Sequence, residues 1–92
     1  MIKIEGHELH RAGQKIGWFE ENHIFDHEGK KLGYFADGKI YNIDGEKIGW
    51  IENNFIEVPG GGKIRLDENH ETIVGGAYPD LARAAVRLLL GE

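Results

Sequence analysis

The chain has 92 residues, 40% of them hydrophobic, with 11 Lys and Arg against 16 Asp and Glu for a formal net charge of -5, and it contains no cysteine. A chain of this size fits a single domain, here 1–92, and buries roughly 64% of its unfolded surface, a thin core that makes oligomerisation a reasonable expectation. The composition excludes disulfides and thiolate metal sites, argues against a general nucleic-acid or anionic-membrane surface, and contains no apolar run long enough to span a membrane. The N-terminal Met1-Ile2-Lys3-Ile4-Glu5 lacks the layout of a secretory signal, so the expected location is cytoplasmic.

Residues 1–64 carry an internal repeat. Ile16, Leu32, Ile48 and Ile64 recur every 16 residues, each after a lysine (Lys15, Lys31, Lys47, Lys63), and Gly13, Gly29, Gly45 and Gly61 keep the same register. Gly17, Gly33 and Gly49 recur as well, followed by Trp18, Tyr34 and Trp50. The spacing predicts four units, 1–16, 17–32, 33–48 and 49–64, aligned without a gap.

Each unit reads as a hairpin. In the second, a strand through Lys15 to Glu20 and another through His23 to Asp26 flank a two-residue turn, Glu21-Asn22; Asp37-Gly38 and Asn53-Asn54 fill that turn later in the chain. Such residues tolerate the positive φ of a type I′ turn. This loop length sets the pairs Glu20 with His23, Phe19 with Ile24, Trp18 with Phe25 and Gly17 with Asp26. The glycine-bearing return turns suit a type I turn with a bulge. Alternation then assigns Ile16, Trp18 and Phe25 to one face, and Phe19 and Ile24, beside the bare Gly17, to the other. Phe19, Phe35, Ile51, Ile24, Ile40 and Ile56 are expected to form one shared apolar layer. The recurrent Gly leaves room for close approach by a backbone or a large side chain. In this alignment the first unit places Lys3 and Glu8 where the second has Phe19 and Ile24, and the fourth has Glu57 in place of Phe25, as end caps would.

Segment 65–78 reads as a loop at Asp67 to Glu71, a short strand at Thr72-Ile73-Val74 and a flexible joint at Gly75-Gly76-Ala77-Tyr78. The C-terminal helix is expected over 79–90, with Pro79 at its first position, Asp80 in the first turn and Gly91 as the stop. Its apolar residues cover well over half the circumference, leaving Arg83 and Arg87 as a solvated stripe. A helix so broadly apolar calls for cover from more than one sheet face, so Leu81, Ala85, Leu88 and Leu89 are expected to supply a homodimer interface.

Repeated G-[WY]-[FI] units with a two-residue turn, an aliphatic-aromatic return strand and a G-x-K-[IL] turn resemble the four-fold β-flower domains. The resemblance implies short hairpins arranged as petals about a pseudo-fourfold axis, a mainly β fold plus the one C-terminal helix, and it implies no activity. A weaker likeness is to the choline-binding repeats of cell-wall proteins, which also string aromatic hairpins after a Gly-Trp; the unit here is shorter and only two units carry Trp.

The candidate chemistry is sparse. His23, Asp26 and His27, with His7 and His10 in the preceding unit, form the one metal-capable cluster, with His7, His23 and His27 as its candidate ligands, but Lys39 and Phe55 replace His23 later, so no metal or other cofactor is expected. Trp18, Tyr34 and Trp50 could stack a ligand, although one aromatic per repeat suggests core. The lysines are expected to pair across strands, Lys15 with Glu28 and Lys31 with Asp44. With no Ser, no Cys and one Thr, the usual nucleophiles are nearly absent, so the chain is not expected to be an enzyme. The function expected is a non-catalytic domain for protein association, with itself or another protein; the alternative is a ligand-binding module of carbohydrate or cell-wall type that uses the repeated aromatics.

Overall fold

A computed structural model describes residues 1–91. The described residues form ten strands: β1 (Ile2–Glu5), β2 (Glu8–Arg11), β3 (Gln14–Glu20), β4 (His23–Asp26), β5 (Lys31–Ala36), β6 (Lys39–Asn42), β7 (Lys47–Glu52), β8 (Phe55–Glu57), β9 (Lys63–Arg65) and β10 (Ile73–Val74). Two helices accompany them, α1 (Leu66–Thr72) and α2 (Asp80–Leu90). The first nine strands follow chain order in one antiparallel sheet, and β10 adds to β1 in parallel at the far edge. The mainly β fold with a C-terminal helix is therefore as expected.

The second hairpin has the register set by its turn: Glu20 faces His23, Phe19 faces Ile24, Trp18 faces Phe25 and Gly17 faces Asp26. Asp37 with Gly38, and Asn53 with Asn54, both adopt positive φ, as type I′ turns require. The second and third return turns are held by one side chain each. Asp26 Oδ1 accepts the backbone N–H groups of Glu28 and Lys30, both at 2.9 Å, and Asn42 Oδ1 does the same for Asp44 and Glu46 at 3.0 Å.

Register shifts at Leu9/His10, Ile24/Phe25 and Ile40/Tyr41 mark a bulge at each of the first three returns, where two residues of the later strand oppose one of the earlier, while the fourth return pairs without one. Ile16, Leu32 and Ile48 are the extra residues, and they pack against the buried cluster. Simple alternation had put Ile16 on the face of Trp18; the bulge bends the strand and returns it to the core.

The first hairpin corrects the gap-free alignment. Ile4 pairs with Leu9 and Lys3 with His10, so Ile4 and Leu9, both buried, occupy the places of Phe19 and Ile24. Four residues separate His10 from its partner Lys15, whereas five separate Phe25 from Lys31, so the first return turn is one residue shorter. The polar substitutions at Lys3 and Glu8 are thus an effect of the frame, and this hairpin contributes fully to the core. The symmetry among the four units is correspondingly inexact.

The core lies between the sheet and α2. Ile2, Ile4, Leu9, Phe19, Ile24, Ile40, Ile56 and Ile73 of the strands meet Ala82, Ala84, Ala85 and Val86 of the helix, with Phe35 and Ile51 packed against them. The shared apolar layer expected from the repeat is present. α2 touches β4 through β7 on one side and α1 and β10 on the other, so the sheet curls around it. Phe19 also stacks on Tyr78, their ring centroids 4.0 Å apart, which anchors the segment leading into the helix.

Three expectations about the C-terminal third are revised. Asp67 to Glu71 lies within α1, not a loop: Asn69 is 1% exposed, Arg87 donates to Thr72 Oγ1 at 2.9 Å and His70 bonds Asp80, so tertiary contacts hold a helix too short to persist alone. Gly75-Gly76 is a packed corner in place of a flexible joint, since a Cβ at Gly75 would stand 2.7 Å from the Ile4 carbonyl oxygen and one at Gly76 would stand 2.6 Å from Ile4 Cγ2. Arg83 is 7% exposed and no part of a solvated stripe; it donates to the carbonyl oxygens of Ile73 at 3.0 Å and Gly76 at 3.2 Å, tying α2 to β10 and the corner.

Candidate functional site

The face of the sheet turned away from α2 is built by cross-strand rows. Glu8, Trp18, Phe25 and Lys31 succeed one another on adjacent strands, as do His23, Tyr34, Tyr41 and Lys47, and then Lys39, Trp50, Glu57 and Lys63. Two rows thus hold aromatic pairs. Trp18 and Phe25 are parallel with centroids 5.6 Å apart, and Tyr34 and Tyr41 are stacked at 4.9 Å. Trp18, Tyr34 and Trp50 are half-buried and lie outside the apolar cluster, which corrects their assignment to the core.

Each repeated lysine lies over a ring. Lys15 Nζ stands 5.0 Å from the centroid of Trp18, Lys31 5.5 Å from Tyr34, Lys47 4.8 Å from Trp50, and Lys63 5.3 Å from Phe55. This is cation–π geometry. The expected pairs of Lys15 with Glu28 and Lys31 with Asp44 are not formed. Lys15 bridges Glu8 at 3.2 Å instead, and that ammonium, together with His10, holds the Glu8 carboxyl below its ordinary pKa. Among the described residues, Lys31, Lys47 and Lys63 have no carboxylate oxygen within 4.0 Å.

The bulge explains why an alternation count misses this arrangement. Lys15, Lys31 and Lys47 each precede their aromatic by three positions, an odd interval that places the two on opposite faces of a regular strand; the extra residue at the bulge restores them to the same face, whereas Lys63 reaches Phe55 from the neighbouring strand with no bulge between them. The G-x-K-[IL]-G-[WY] string with its bulge-forming glycine was the available signal.

The histidines do not converge. His7 sits in the first tip and His27 in a return turn, both exposed, while His23 is half-buried with its ring 5.8 Å from Tyr34. With the first hairpin out of frame, Glu8 and not His7 is the counterpart of His23. No group of three or more His, Asp or Glu among the described residues could hold a metal ion.

On α2, Ala85 is fully buried by its own chain, and Leu81, Leu88 and Leu89 are half-buried against the core. The chain's own core therefore covers Ala85 and part of Leu81, Leu88 and Leu89. A cleft of about 510 Å³, unforeseen from the sequence, opens between the fourth hairpin tip, α1 and the start of α2, lined by residues including Phe55, Arg65, His70 and Asp80. Its charged groups satisfy one another, Arg65 with Asp67 at 3.0 Å and His70 with Asp80.

No described helix is long and apolar enough to cross a membrane. Comparison with known families finds a match over residues 10–83 to the model of the 4-fold beta flower protein. No curated protein and no solved structure matches the chain.

Proposed function

The chain belongs to the 4-fold β-flower family, and we propose that it is a non-catalytic domain that associates with another protein through the outer, aromatic face of its sheet. The observation that carries this reading is the division of labour between the two faces. α2 occupies the inner one, while the outer one presents Trp18, Phe25, Tyr34, Tyr41 and Trp50, half-buried, in register and bordered by lysines. Tyr and Trp held by neighbours lose little conformational entropy on contact and are enriched at interface hot spots. A cytoplasmic setting, proposed from the cysteine-free composition, goes with this reading.

A second reading, a carbohydrate-binding module, is favoured by the regular spacing of half-exposed Trp18, Tyr34 and Trp50. Sugar stacking needs an open ring face, however, and each of these rings already has an ammonium above it.

The test places a photo-crosslinking amino acid at position 41 on the outer face and, as control, at position 37 in an exposed turn, within cells. A defined protein adduct at 41, absent at 37 and lost with Trp50→Ala, is expected. Sedimentation over a concentration series then assigns the adduct to a second copy or to another protein. Saturable Trp fluorescence change with soluble glycans, and no adduct at 41, would replace this reading with the second.

A further inference from the structure

Lys31 and Lys47 flank the stacked pair Tyr34 and Tyr41, and among the described residues the molecule pairs neither with an acid although it has carboxylates in excess. With a formal charge of -5, it forms ion pairs around Glu8 and elsewhere, yet among the described residues neither ammonium has an acid oxygen within 4.0 Å. Both have a ring on one side, Tyr34 under Lys31 and Trp50 under Lys47, which restricts where their remaining N–H donors point. Between them lies the stacked pair Tyr34 and Tyr41, and Tyr41 is the cross-strand neighbour of Lys47. Along the face the order is therefore cation, ring, ring, cation.

We infer that this face recognises an extended acidic segment of a partner protein, with two carboxylates four residues apart and an apolar side chain midway; the inference rests on the association reading above. The spacing follows from the register. Lys31 and Lys47 begin alternate strands, about 9.6 Å apart across the sheet, and each hairpin is sheared by about two residues, or about 7 Å, along the strands, so the Cα positions that carry the two ammonium groups lie about 12 Å apart. In an extended chain, residues i, i+2 and i+4 share a face, and i to i+4 spans about 13 Å. Carboxylates at i and i+4 then meet Lys31 and Lys47, and the residue at i+2 falls on the Tyr34 and Tyr41 rings. A nucleic acid fits less well: its bases need open ring faces, which the lysines cover, and its dense charge meets an acidic molecule.

The probe is a peptide of four Glu-Ser-Val-Ser blocks, compared with one of identical composition that has its Glu residues contiguous, and with oligothymidylate. Trp18 and Trp50, the two Trp of the chain, both lie on this face and report binding by fluorescence. The spaced peptide is expected to bind saturably, at least tenfold more tightly than the contiguous one, to weaken with salt, and to lose at least tenfold on the double change Lys31→Gln and Lys47→Gln, with thermal melts confirming that this variant is folded. Equal binding of the two peptides, or an unchanged affinity in the double variant, would overturn the spacing rule. Tighter binding of oligothymidylate would replace the partner class. Absence of peptide binding while the crosslinked adduct at position 41 persists would refute this inference alone; absence of both would refute the association reading too.

Discussion

Gly49 and Leu88 occupy one space: a Cβ on the glycine would fall on the leucine Cδ1, and the same Cβ would stand 3.1 Å from the Glu57 carbonyl oxygen. The missing side chain on β7 is what admits the helix. Gly33 on β5 does the same for Leu89, whose two Cδ atoms would lie 3.0 Å from an added Cβ, but there the backbone carbonyl oxygen of Tyr41 also blocks the position.

These two glycines therefore respond differently to repair. Gly49→Ala is expected to cost about 1–3 kcal/mol, and about 1 kcal/mol less in a Leu88→Ala background, since a flexible side-chain end is the main obstacle. Gly33→Ala is expected to cost about 2–4 kcal/mol, with no relief from Leu89→Ala, because a backbone oxygen cannot be trimmed. Denaturant melts of the two double-mutant cycles check this; equal coupling in both would contradict the distinction.

Arg83 holds the carbonyl oxygens of Ile73 and Gly76 from within the core. Arg83→Ala is expected to destabilise by about 2–4 kcal/mol, as two carbonyl oxygens lose charge-assisted bonds. Arg83→Lys should recover less than half of that loss, because an ammonium lacks the fork that reaches both oxygens. Full recovery in thermal melts would reduce the role of Arg83 to charge.

The Asp26 carboxylate accepts the backbone N–H of Lys30 and of Glu28, and these bonds lower its pKa below the ordinary aspartate value, the Lys30 bond most. A group whose folded pKa is depressed contributes stability that is fully present above the unfolded value of about 3.9 and is lost as pH falls through the lower folded value. Stability measured between pH 6 and 2 should therefore decline less steeply for Asp26→Asn, which keeps an acceptor as Asn42 does in the next turn. An identical pH slope in both proteins would remove Asp26 as a contributor.

A chain ended before Pro79 loses Ala82, Ala84, Ala85 and Val86, all 0% exposed, and Tyr78 loses its tie to the helix. It is expected to lack a cooperative thermal transition and to expose its Ile24, Ile40 and Ile56 layer to a hydrophobic dye. A truncated chain that melts like the full one would show that the sheet stands without α2.

For the candidate surface, the repeat made Trp18, Tyr34 and Trp50 visible from spacing alone, but their environment was not legible, because one aromatic per unit is equally consistent with a core layer and an outer stripe. The lysine contacts were missed for a nameable reason, the change of face that a bulge introduces between Lys31 and Tyr34. The histidines were misaligned because a turn shortened by one residue shifts every later comparison with the first unit.

The sequence by itself determined the hairpins, since a two-residue turn and a period-two face alternation leave one register for Phe19 with Ile24, Phe35 with Ile40 and Ile51 with Ile56. It also determined that something must approach Gly33 and Gly49. Only the tertiary structure decided what approaches, because the direction in which a curled sheet closes depends on contacts far apart in the chain: Leu88 reaches a glycine 39 residues earlier and Leu89 one 56 residues earlier. The same holds for α1, whose central residues Asp67 to Glu71 are polar enough to read as a loop and become helical where Asn69 is buried and His70 meets Asp80. An apolar circumference on α2 specifies that the helix be covered; how much of that cover its own sheet supplies is decided by curvature, which no local spacing records.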